Sequence, residues 1–457
     1  MLDTIIKNGN VYLSGSGIQQ VDIGIKDGKI AALMRSGNAT AATKVIGAAG
    51  KFIMPGAIDP HVHFGIYNGW QDDFESESKF AALGGVTSVI TYYREMGSYF
   101  KVFEELVTRA ESKSLIDFGI HLGLLTNQHV AELDDYVEKF GVISYKFYTN
   151  YMGRVAQIFK TEDALVLDDG DLDHILDELS TKKKNIILCV HCENMEISRK
   201  QKIVNAANKS DSLSYYESLS PDYAETESVL STLYLAKKNN AHLYVVHLSA
   251  GSSVDYIEQM PQFVSEKITI ETCPHYLTQT VESSAKLQAT VNPPIRNQTD
   301  SDKLWRGIEK GIITSLGSDN CSLMMANKAP ESINTVKPGF GGVGLNIPLM
   351  ITEGYHKRNI PIGTLVKLLC ETPAKTFGLF PQKGIISVGS DADLVVIDLE
   401  SEKTVTAETL CSSSDFSIYE GQKLKGWPVM TFSRGDLIMQ DGKILGTSGR
   451  GKYLHKR

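Results

Sequence analysis

Between Pro55 and about residue 383, short apolar segments alternate with amphipathic ones, and this pattern limits the possible folds more than any other feature. Amphipathic segments such as 128–139, 171–184 and 223–238 have helical spacing. Such alternation is typical of a parallel sheet covered on both faces and, with eight units, favours an α/β fold of the (β/α)8 TIM-type barrel class. An open doubly wound sheet is the alternative, but the first strand–helix turn lacks a Gly-rich phosphate fingerprint. The strand candidates are 56–64, 86–93, 117–125, 141–149, 185–193, 242–249, 268–277 and 312–319.

The two ends of the chain share a different pattern of short alternating strands and turns. The first part has turn sequences at Asn8-Gly9-Asn10 and at Asp27-Gly28, and the segments 389–400 and 428–445 repeat the pattern near the end. We therefore predict a β-sandwich domain built from both ends, residues 1–54 plus 384–457. The barrel domain then spans residues 55–383.

Composition and charge exclude several classes of protein. The 457 residues are 42% hydrophobic and 22% charged, as in globular enzymes rather than disordered chains or coiled coils. No apolar run approaches the roughly 20 residues of a membrane span, and the first residues lack the apolar core of a secretory signal, so we expect a cytoplasmic protein. A net charge of −8 without basic runs argues against nucleic acid as a partner. The six scattered cysteines predict no disulfide framework.

Four histidines and an aspartate lie at the ends of predicted strands. His61 and His63 are two residues apart on strand 1, so both rings face the same way and can bind one ion. His191 and His247 end strands 5 and 6; each alone could be a hydrogen-bonded core histidine, but equivalent positions favour a shared metal site. Asp319 ends strand 8, where a buried carboxylate needs a cation or several donors; a helix N-cap is the alternative.

Lys146 lies among apolar and aromatic neighbours on strand 4. A lysine that extends its amine to solvent is the simplest interpretation. The alternative is a buried lysine of lowered pKa, whose free amine adds carbon dioxide to give a carbamate. A carbamate would act as a carboxylate ligand and offset part of the charge of two divalent ions.

Motifs along nearly the whole chain resemble the amidohydrolase superfamily and, within it, the cyclic amidases called dihydropyrimidinases and hydantoinases. The segment 372–399 resembles the family's passage from barrel to β-sandwich. The other motifs are DPHVHF (59–64), Lys146, VHCEN (190–194), VHLSA (246–250), ETCPHYL (271–277), NPPIR (292–296) and GSDN (317–320).

The resemblance implies a hydrolase that opens the ring of a cyclic amide, a hydantoin or dihydropyrimidine, to an N-carbamoyl amino acid through a hydroxide between two divalent ions, with Zn²⁺ as the default. Asp319 would be the catalytic base, and Tyr151 would stabilise the developing oxyanion and bind substrate. Asn292 and Gly341 would be further substrate contacts. The implied metal ligands are His61, His63 and Asp319 for one ion, His191 and His247 for the other, and N6-carboxylated Lys146 between them.

Several positions bear on the subfamily. Gly65 stands where dihydroorotases carry an arginine for the substrate carboxylate, whereas Asn292 and the segment 339–348 resemble dihydroorotases and allantoinases. Both activities are therefore alternatives, as is a non-catalytic scaffold of the same fold. Asn320 and Cys321 depart from the usual motif after Asp319. Aromatic residues in the segments 66–70, 92–100 and 151–159 favour an apolar ring substituent, and similar proteins imply a homodimer or homotetramer.

Overall fold

The computed structural model describes residues 1–37, 41–182 and 185–454, which form two compact units. One unit contains residues 1–90, 109–119 and 341–454, and the other contains residues 91–108 and 120–340. The division into residues 1–54 plus 384–457 and residues 55–383 stays a prediction. Residues 38–40, 183–184 and 455–457, which belong to these predicted domains, lie outside the described part of the chain.

The strands are numbered in chain order. They are β1 (Leu2–Leu13), β2 (Gly17–Lys26), β3 (Lys29–Arg35), β4 (Ala42–Gly47), β5 (Phe52–Pro55), β6 (Ala57–Val62), β7 (Val86–Tyr93), β8 (Asp117–Gly123), β9 (Ser144–Tyr148), β10 (Ile187–His191), β11 (His242–Val245), β12 (Ile268–Thr272), β13 (Ser315–Leu316), β14 (Leu394–Thr404), β15 (Lys423–Ser433), β16 (Asp436–Gln440) and β17 (Lys443–Ile444).

The α-helices are also numbered in chain order. They are α1 (Trp70–Leu83), α2 (Phe103–Glu111), α3 (Asn127–Ala131), α4 (Leu133–Phe140), α5 (Val155–Phe159), α6 (Asp169–Ser180), α7 (Met195–Val204), α8 (Leu213–Ser218), α9 (Asp222–Lys238), α10 (Gly251–Gln259), α11 (Pro274–Thr278), α12 (Gln298–Glu309), α13 (Met325–Lys328), α14 (Asn346–Met350), α15 (Ile362–Val366) and α16 (Thr372–Thr376).

Both ends of the chain contribute strands to one nine-stranded mixed sheet. This confirms the predicted β-rich fold of the two ends. The sheet has the order β17-β16-β15-β14-β5-β1-β2-β3, with β4 beside β1. Its apolar side chains form a buried cluster that includes Ile6, Ile53 and Leu394. The predicted turn at Asp27-Gly28 joins β2 to β3, and both residues have the positive φ of a tight hairpin turn.

The hairpin turn predicted at Asn8-Gly9-Asn10 was wrong. Strand β1 continues through this segment and pairs with β2 on both sides of it, with a register shift between Ile6 and Gly9. Asn8 has φ of 61°, and its backbone N–H donates a hydrogen bond to the Asp22 carboxylate at 2.9 Å. The turn residues therefore make a bulge within one strand instead of a reversal of the chain.

The middle of the chain forms an eight-stranded sheet in which β6 to β13 follow each other in chain order. The pairings of neighbouring strands from β8 to β13 are all parallel. All eight predicted strands are present, and the predicted barrel of alternating strands and helices is confirmed. In β7, β8, β9 and β10 nearly every residue is buried, as expected for a sheet covered on both faces.

Helices at the predicted positions cover the sheet. The segments 128–139 and 223–238 correspond to α3 with α4 and to α9, and the described part of 171–184 corresponds to α6. Helix α6 begins at an N-cap, since the Asp168 carboxylate accepts a hydrogen bond from the backbone N–H of Asp171 at 3.0 Å. Among the described helices, none combines the length and the apolar character needed to cross a bilayer.

Candidate metal centre and substrate cavity

Lys146 lies in the middle of β9, and its amine is buried. The residue is 1% exposed, and within the described residues Nζ has no hydrogen-bond partner. Nζ instead lies 4.6 Å from the centre of the Tyr92 ring and 5.7 Å from that of Tyr148. A buried, unpaired ammonium costs free energy, so this position favours a neutral or chemically modified amine. The simpler interpretation of the sequence required an amine that reaches solvent, and the Lys146 amine does not.

The surroundings of Lys146 shift its protonation in the same direction. Burial lowers the pKa of the amine from 10.5 to about 8, while Cys189, Glu271 and Asp319 oppose this change. Near neutral pH part of the amine is therefore unprotonated, and that is the form that adds carbon dioxide. Glu271 is itself fixed, because it accepts hydrogen bonds from the Tyr244 hydroxyl at 2.7 Å and from the backbone N–H of His247 at 2.8 Å.

His191 and His247 face each other at the ends of neighbouring strands. His191 is the last residue of β10, and Nδ1 of its ring lies 2.8 Å from Nε2 of His247. Both rings are buried and lie at 79° to each other. A tetrahedral ion with two imidazole nitrogens at about 2.0–2.1 Å holds these nitrogens about 3.3 Å apart. The pair is thus close to the spacing that one shared ion requires.

Glu193 fixes the orientation of the His191 ring. Its carboxylate lies 2.5 Å from Nε2 of His191, and its second oxygen accepts a hydrogen bond from the Ser220 hydroxyl. Burial raises the pKa of Glu193, but these hydrogen bonds and the charge of Arg296 outweigh burial and leave the pKa below its ordinary value. A carboxylate at Nε2 holds the ring hydrogen there, so Nδ1 presents its lone pair toward His247.

His247 and Asp319 lie just beyond their strands in an unusual backbone conformation. Strand β11 ends at Val245 and β13 ends at Leu316, so both residues follow their strands. The sequence had predicted that both belong to the strands. Their φ angles are 42° and 52°, in the left-handed region. Non-glycine residues rarely adopt this conformation, and such strain is concentrated at functional sites. Asp319 is 7% exposed.

The other compact unit contains His61 and His63. His61 lies in β6 and is fully buried, and Nε2 of its ring is 3.3 Å from Nε2 of His63. This is the spacing expected for two imidazoles on one tetrahedral ion. The backbone N–H of His61 donates to Asp59 at 3.0 Å, and the Asn346 amide donates to the other Asp59 oxygen at 3.0 Å. These hydrogen bonds hold Asp59 beside the histidine pair.

Tyr151 lies in a short turn of 3-10 helix after β9, and Arg94 contacts its hydroxyl. The Arg94 guanidinium donates a hydrogen bond to the Tyr151 oxygen and lies 5.6–6.0 Å from the ring centres of Tyr151, Tyr148 and Phe159. Because the phenol oxygen accepts from Arg94, its own hydrogen remains available for another acceptor. Tyr151 can therefore act as a hydrogen-bond donor whose strength the neighbouring cation increases.

A cavity of about 440 Å³ extends from this region. Asn292 is one of its exposed residues, and its amide oxygen accepts a hydrogen bond from the Tyr216 hydroxyl at 2.7 Å. The volume of the cavity lies in the usual range of small-molecule sites. Its lining residues are Asn150, Tyr151, Arg154, Ile158, Glu193, Met195, Ser198, Lys202, Tyr216, Leu219, Ser220, Asn292, Pro294 and Ile333.

The structure therefore brings some of the predicted site residues together. Tyr151 and Asn292 line the same cavity, and so does Glu193, the partner of His191. Gly341 is buried outside this lining, and a Cβ atom there would lie 3.2 Å from the hydroxyl oxygens of Ser412 and Ser414. Its role in binding substrate stays a prediction.

Sequence reasoning missed Glu193 and Arg94. Glu193 comes two residues after His191, a spacing that places alternate residues of a strand on one side, so a signal existed in the motif VHCEN. Arg94 lies in the aromatic segment 92–100 and contacts Tyr151, which is 57 residues later in the chain. No local pattern indicates that contact.

Comparison with known proteins identifies the family. The family model described as "Amidohydrolase family" matches residues 52–438. The chain belongs to the amidohydrolase family. A second model, "Urease alpha-subunit, N-terminal domain", matches residues 1–53, and together the two cover most of the chain. The predicted resemblance to this family is confirmed.

Similar proteins align over the whole length of this amidohydrolase. An L-hydantoinase from Paenarthrobacter aurescens is 33% identical, over 100% of this chain and 99% of its own. An allantoinase from Deinococcus radiodurans is 32% identical over the same shares. The solved structure of an L-hydantoinase (dihydropyrimidinase) from Arthrobacter aurescens has a TM-score of 0.90 and 30% identity, over 99% of each chain. The protein is therefore a hydantoinase/dihydropyrimidinase-like enzyme in this family.

Proposed function

We propose that this amidohydrolase breaks a ring C–N bond of a hydantoin or dihydropyrimidine and releases an N-carbamoyl amino acid. The observation that carries the proposal is the buried amine of Lys146, which has no hydrogen-bond partner among the described residues. Carboxylation would remove this buried positive charge and create two oxygen ligands. Relatives named hydantoinase, aligned over the whole chain, support this substrate class.

The residues fit two divalent ions. Each histidine pair presents two ring nitrogens 2.8–3.3 Å apart, near the spacing that a shared ion requires. Nitrogen and oxygen ligands of this kind suit Zn²⁺. We assign His61, His63 and Asp319 to one ion, His191 and His247 to the other, and N6-carboxylated Lys146 to both.

When bound, two such ions would lower the pKa of a water molecule and polarise the substrate carbonyl. The chain's own side chains would carry the remaining steps. A carboxylate oxygen of Asp319 accepts the proton of the attacking water and passes it to the ring nitrogen as the C–N bond breaks. The Tyr151 hydroxyl donates a hydrogen bond to the carbonyl oxygen as negative charge develops there, and Arg94 holds that hydroxyl in place.

We assign Asn292 and Gly341 to substrate binding. Asn292 lines the cavity beside Tyr151, which supports its contact with the ring. For Gly341 the support is the family resemblance alone. We further propose that the protein is a cytoplasmic homodimer or homotetramer, as the sequence predicted.

Allantoin is the second candidate substrate, favoured by the allantoinase relative and by Asn292 before the Pro-Pro sequence. Dihydroorotate is a weaker candidate because Gly65 supplies no guanidinium for its carboxylate. A panel of hydantoin, 5-phenylhydantoin, dihydrouracil, allantoin and dihydroorotate separates these substrates. We expect the highest kcat/KM for a hydantoin or for dihydrouracil.

Replacement of Lys146 tests the proposal. We expect Lys146→Ala to lose bound metal, measured by elemental analysis, and to lose turnover of hydantoin and dihydrouracil. Lys139→Ala, which changes an exposed lysine at the end of α4, is the matched control and should retain both. Full activity in Lys146→Ala would show that the proposed mechanism is wrong. A wild-type protein without stoichiometric metal would instead favour the non-catalytic scaffold.

A further inference from the structure

The lining of the cavity beside Tyr151 contains both buried and exposed side chains. Glu193 and Ser198 are among the buried ones, at 5% and 1% exposure. Arg154 and Lys202 are both exposed residues of the lining. The cavity lies next to His191, because Glu193 lines it and is hydrogen-bonded to that ring. A substrate ring held near His191 could therefore place its substituent in this cavity, whose lining includes both cations.

The charges of the lining are unequal. Arg154 and Lys202 are its two basic residues, and Glu193 is its one acidic residue. The Glu193 carboxylate is already engaged by His191 and Ser220. Neither Arg154 nor Lys202 forms a side-chain ion pair within the described part of the chain. In a protein with 54 acidic and 46 basic residues, two cations without carboxylate partners in one cavity indicate an anionic ligand.

The size of the cavity allows such a ligand. Its volume of about 440 Å³ is many times the roughly 30 Å³ that a water molecule takes in the liquid. A five-membered hydantoin ring with its two carbonyl oxygens leaves room for a substituent of several atoms. Ile158 and Leu219 offer apolar contact along the wall, so methylene groups could lie there while a charged end reaches Arg154 and Lys202.

We propose that this cavity binds a carboxylate carried on the exocyclic substituent of the cyclic amide, with Arg154 and Lys202 as the specificity-determining residues. This inference rests on the proposed function and narrows its substrate class. It differs from the apolar substituent that the aromatic segments of the sequence favoured. Of the aromatic rings in one such segment, Tyr151 and Phe159 both lie beside Arg94, and Tyr151 also lines the cavity.

A matched pair of substrates tests the inference. We would measure kcat/KM for 5-(2-carboxyethyl)hydantoin and for its neutral analogue 5-(2-carbamoylethyl)hydantoin, which have nearly the same shape. We expect the carboxylate to be preferred about tenfold at low ionic strength, as two partly exposed ion pairs allow. The preference should shrink in about 0.5 M NaCl, because salt screens exposed charges.

Variants assign the preference to the two residues. We expect the double variant Arg154→Gln, Lys202→Gln to hydrolyse both compounds with nearly equal kcat/KM. Lys200→Gln removes an exposed charge from α7, the helix that contains Lys202, at a position outside the cavity lining. This variant should keep the wild-type ratio of the two kcat/KM values. Thermal melting of all three proteins controls for folding.

The outcomes separate this inference from the function on which it rests. A wild-type enzyme that hydrolyses hydantoin and the carboxamide, yet shows no preference for the carboxylate, overturns the inference alone. A preference that survives in the double variant also overturns it. If the wild-type protein hydrolyses none of these compounds, the proposed function fails, and the inference fails with it.

Discussion

Replacement of Lys146 by methionine should stabilise the metal-free protein while it abolishes activity. The Lys146 amine is 1% exposed and has no hydrogen-bond partner within the described residues, so the folded protein gains little from its charge. Methionine has a similar length and no charge, and it can pack against the rings of Tyr92 and Tyr148 that surround Nζ. A residue kept for its chemistry at the expense of stability is expected to behave in this way.

The size of the effect follows from the pKa of the amine, which burial lowers from 10.5 to about 8. Each tenfold change in acidity corresponds to 1.36 kcal/mol, so protonated Lys146 destabilises the fold by about 3 kcal/mol. Below pH 8 both the folded and unfolded states are protonated, and the full cost is present. Between pH 8 and 10.5 the unfolded state binds more protons, so stability rises with pH and the cost disappears. At pH 10 less than about 1 kcal/mol remains.

Unfolding of the two proteins should be compared after chelation, in buffer depleted of carbon dioxide. For a folding unit of 150–250 residues, about 3 kcal/mol corresponds to a rise of roughly 6–12 °C in the melting temperature. We expect Lys146→Met to melt higher by this amount at pH 7 and by much less at pH 10, measured by circular dichroism at one scan rate. Lys139→Met controls for the loss of an exposed lysine. Equal melting temperatures at pH 7, or a difference that does not depend on pH, would refute the reasoning.

Two further predictions concern side chains near the proposed centre. Glu193→Gln removes the carboxylate that orients His191, so we expect one of the two ions to bind about 10–100-fold more weakly, measured in competition with a chelator. The control Glu196→Gln, on the exposed surface, should leave both affinities unchanged. Tyr151→Phe removes the proposed hydrogen bond to the oxyanion, so we expect kcat to fall about 10²–10³-fold with little change in KM. A rise of that size in KM with unchanged kcat would show instead that Tyr151 acts in substrate binding.

The sequence predicted the barrel strands well because each is an apolar segment bounded by polar residues. Their buried positions repeat that pattern, as in β9 and β10. The error at Asn8-Gly9-Asn10 has a different origin. A turn and a bulge both use residues of positive φ, and only the pairing of β1 with β2 decides between them. That pairing depends on residues distant in sequence, so the local signal was ambiguous.

The site was predictable where strand periodicity controls direction. His61 lies in β6 and His63 follows the last residue of that strand, and their rings still lie on one side, as the two-residue repeat of a strand predicts. Periodicity fails beyond the strand ends, where His247 and Asp319 take left-handed backbone conformations. It also says nothing about the partners of a ring nitrogen, so Glu193 could not be assigned to Nε2 of His191 from spacing alone.

A buried ion network explains how the cavity wall and the His191 ring can keep one geometry. Arg296 is 3% exposed and donates to the buried carboxylate of Glu225 at 3.0 Å and to the backbone carbonyl of Ser220. The Ser220 hydroxyl in turn donates to Glu193, which holds His191. Because loss of one partner from a buried ion pair costs about 3–5 kcal/mol, the pairing of Arg296 with Glu225 holds Arg296 in place for its hydrogen bond to Ser220. A ring orientation that sequence periodicity does not determine is therefore set through a series of contacts that ends at Arg296, more than a hundred positions away in the chain.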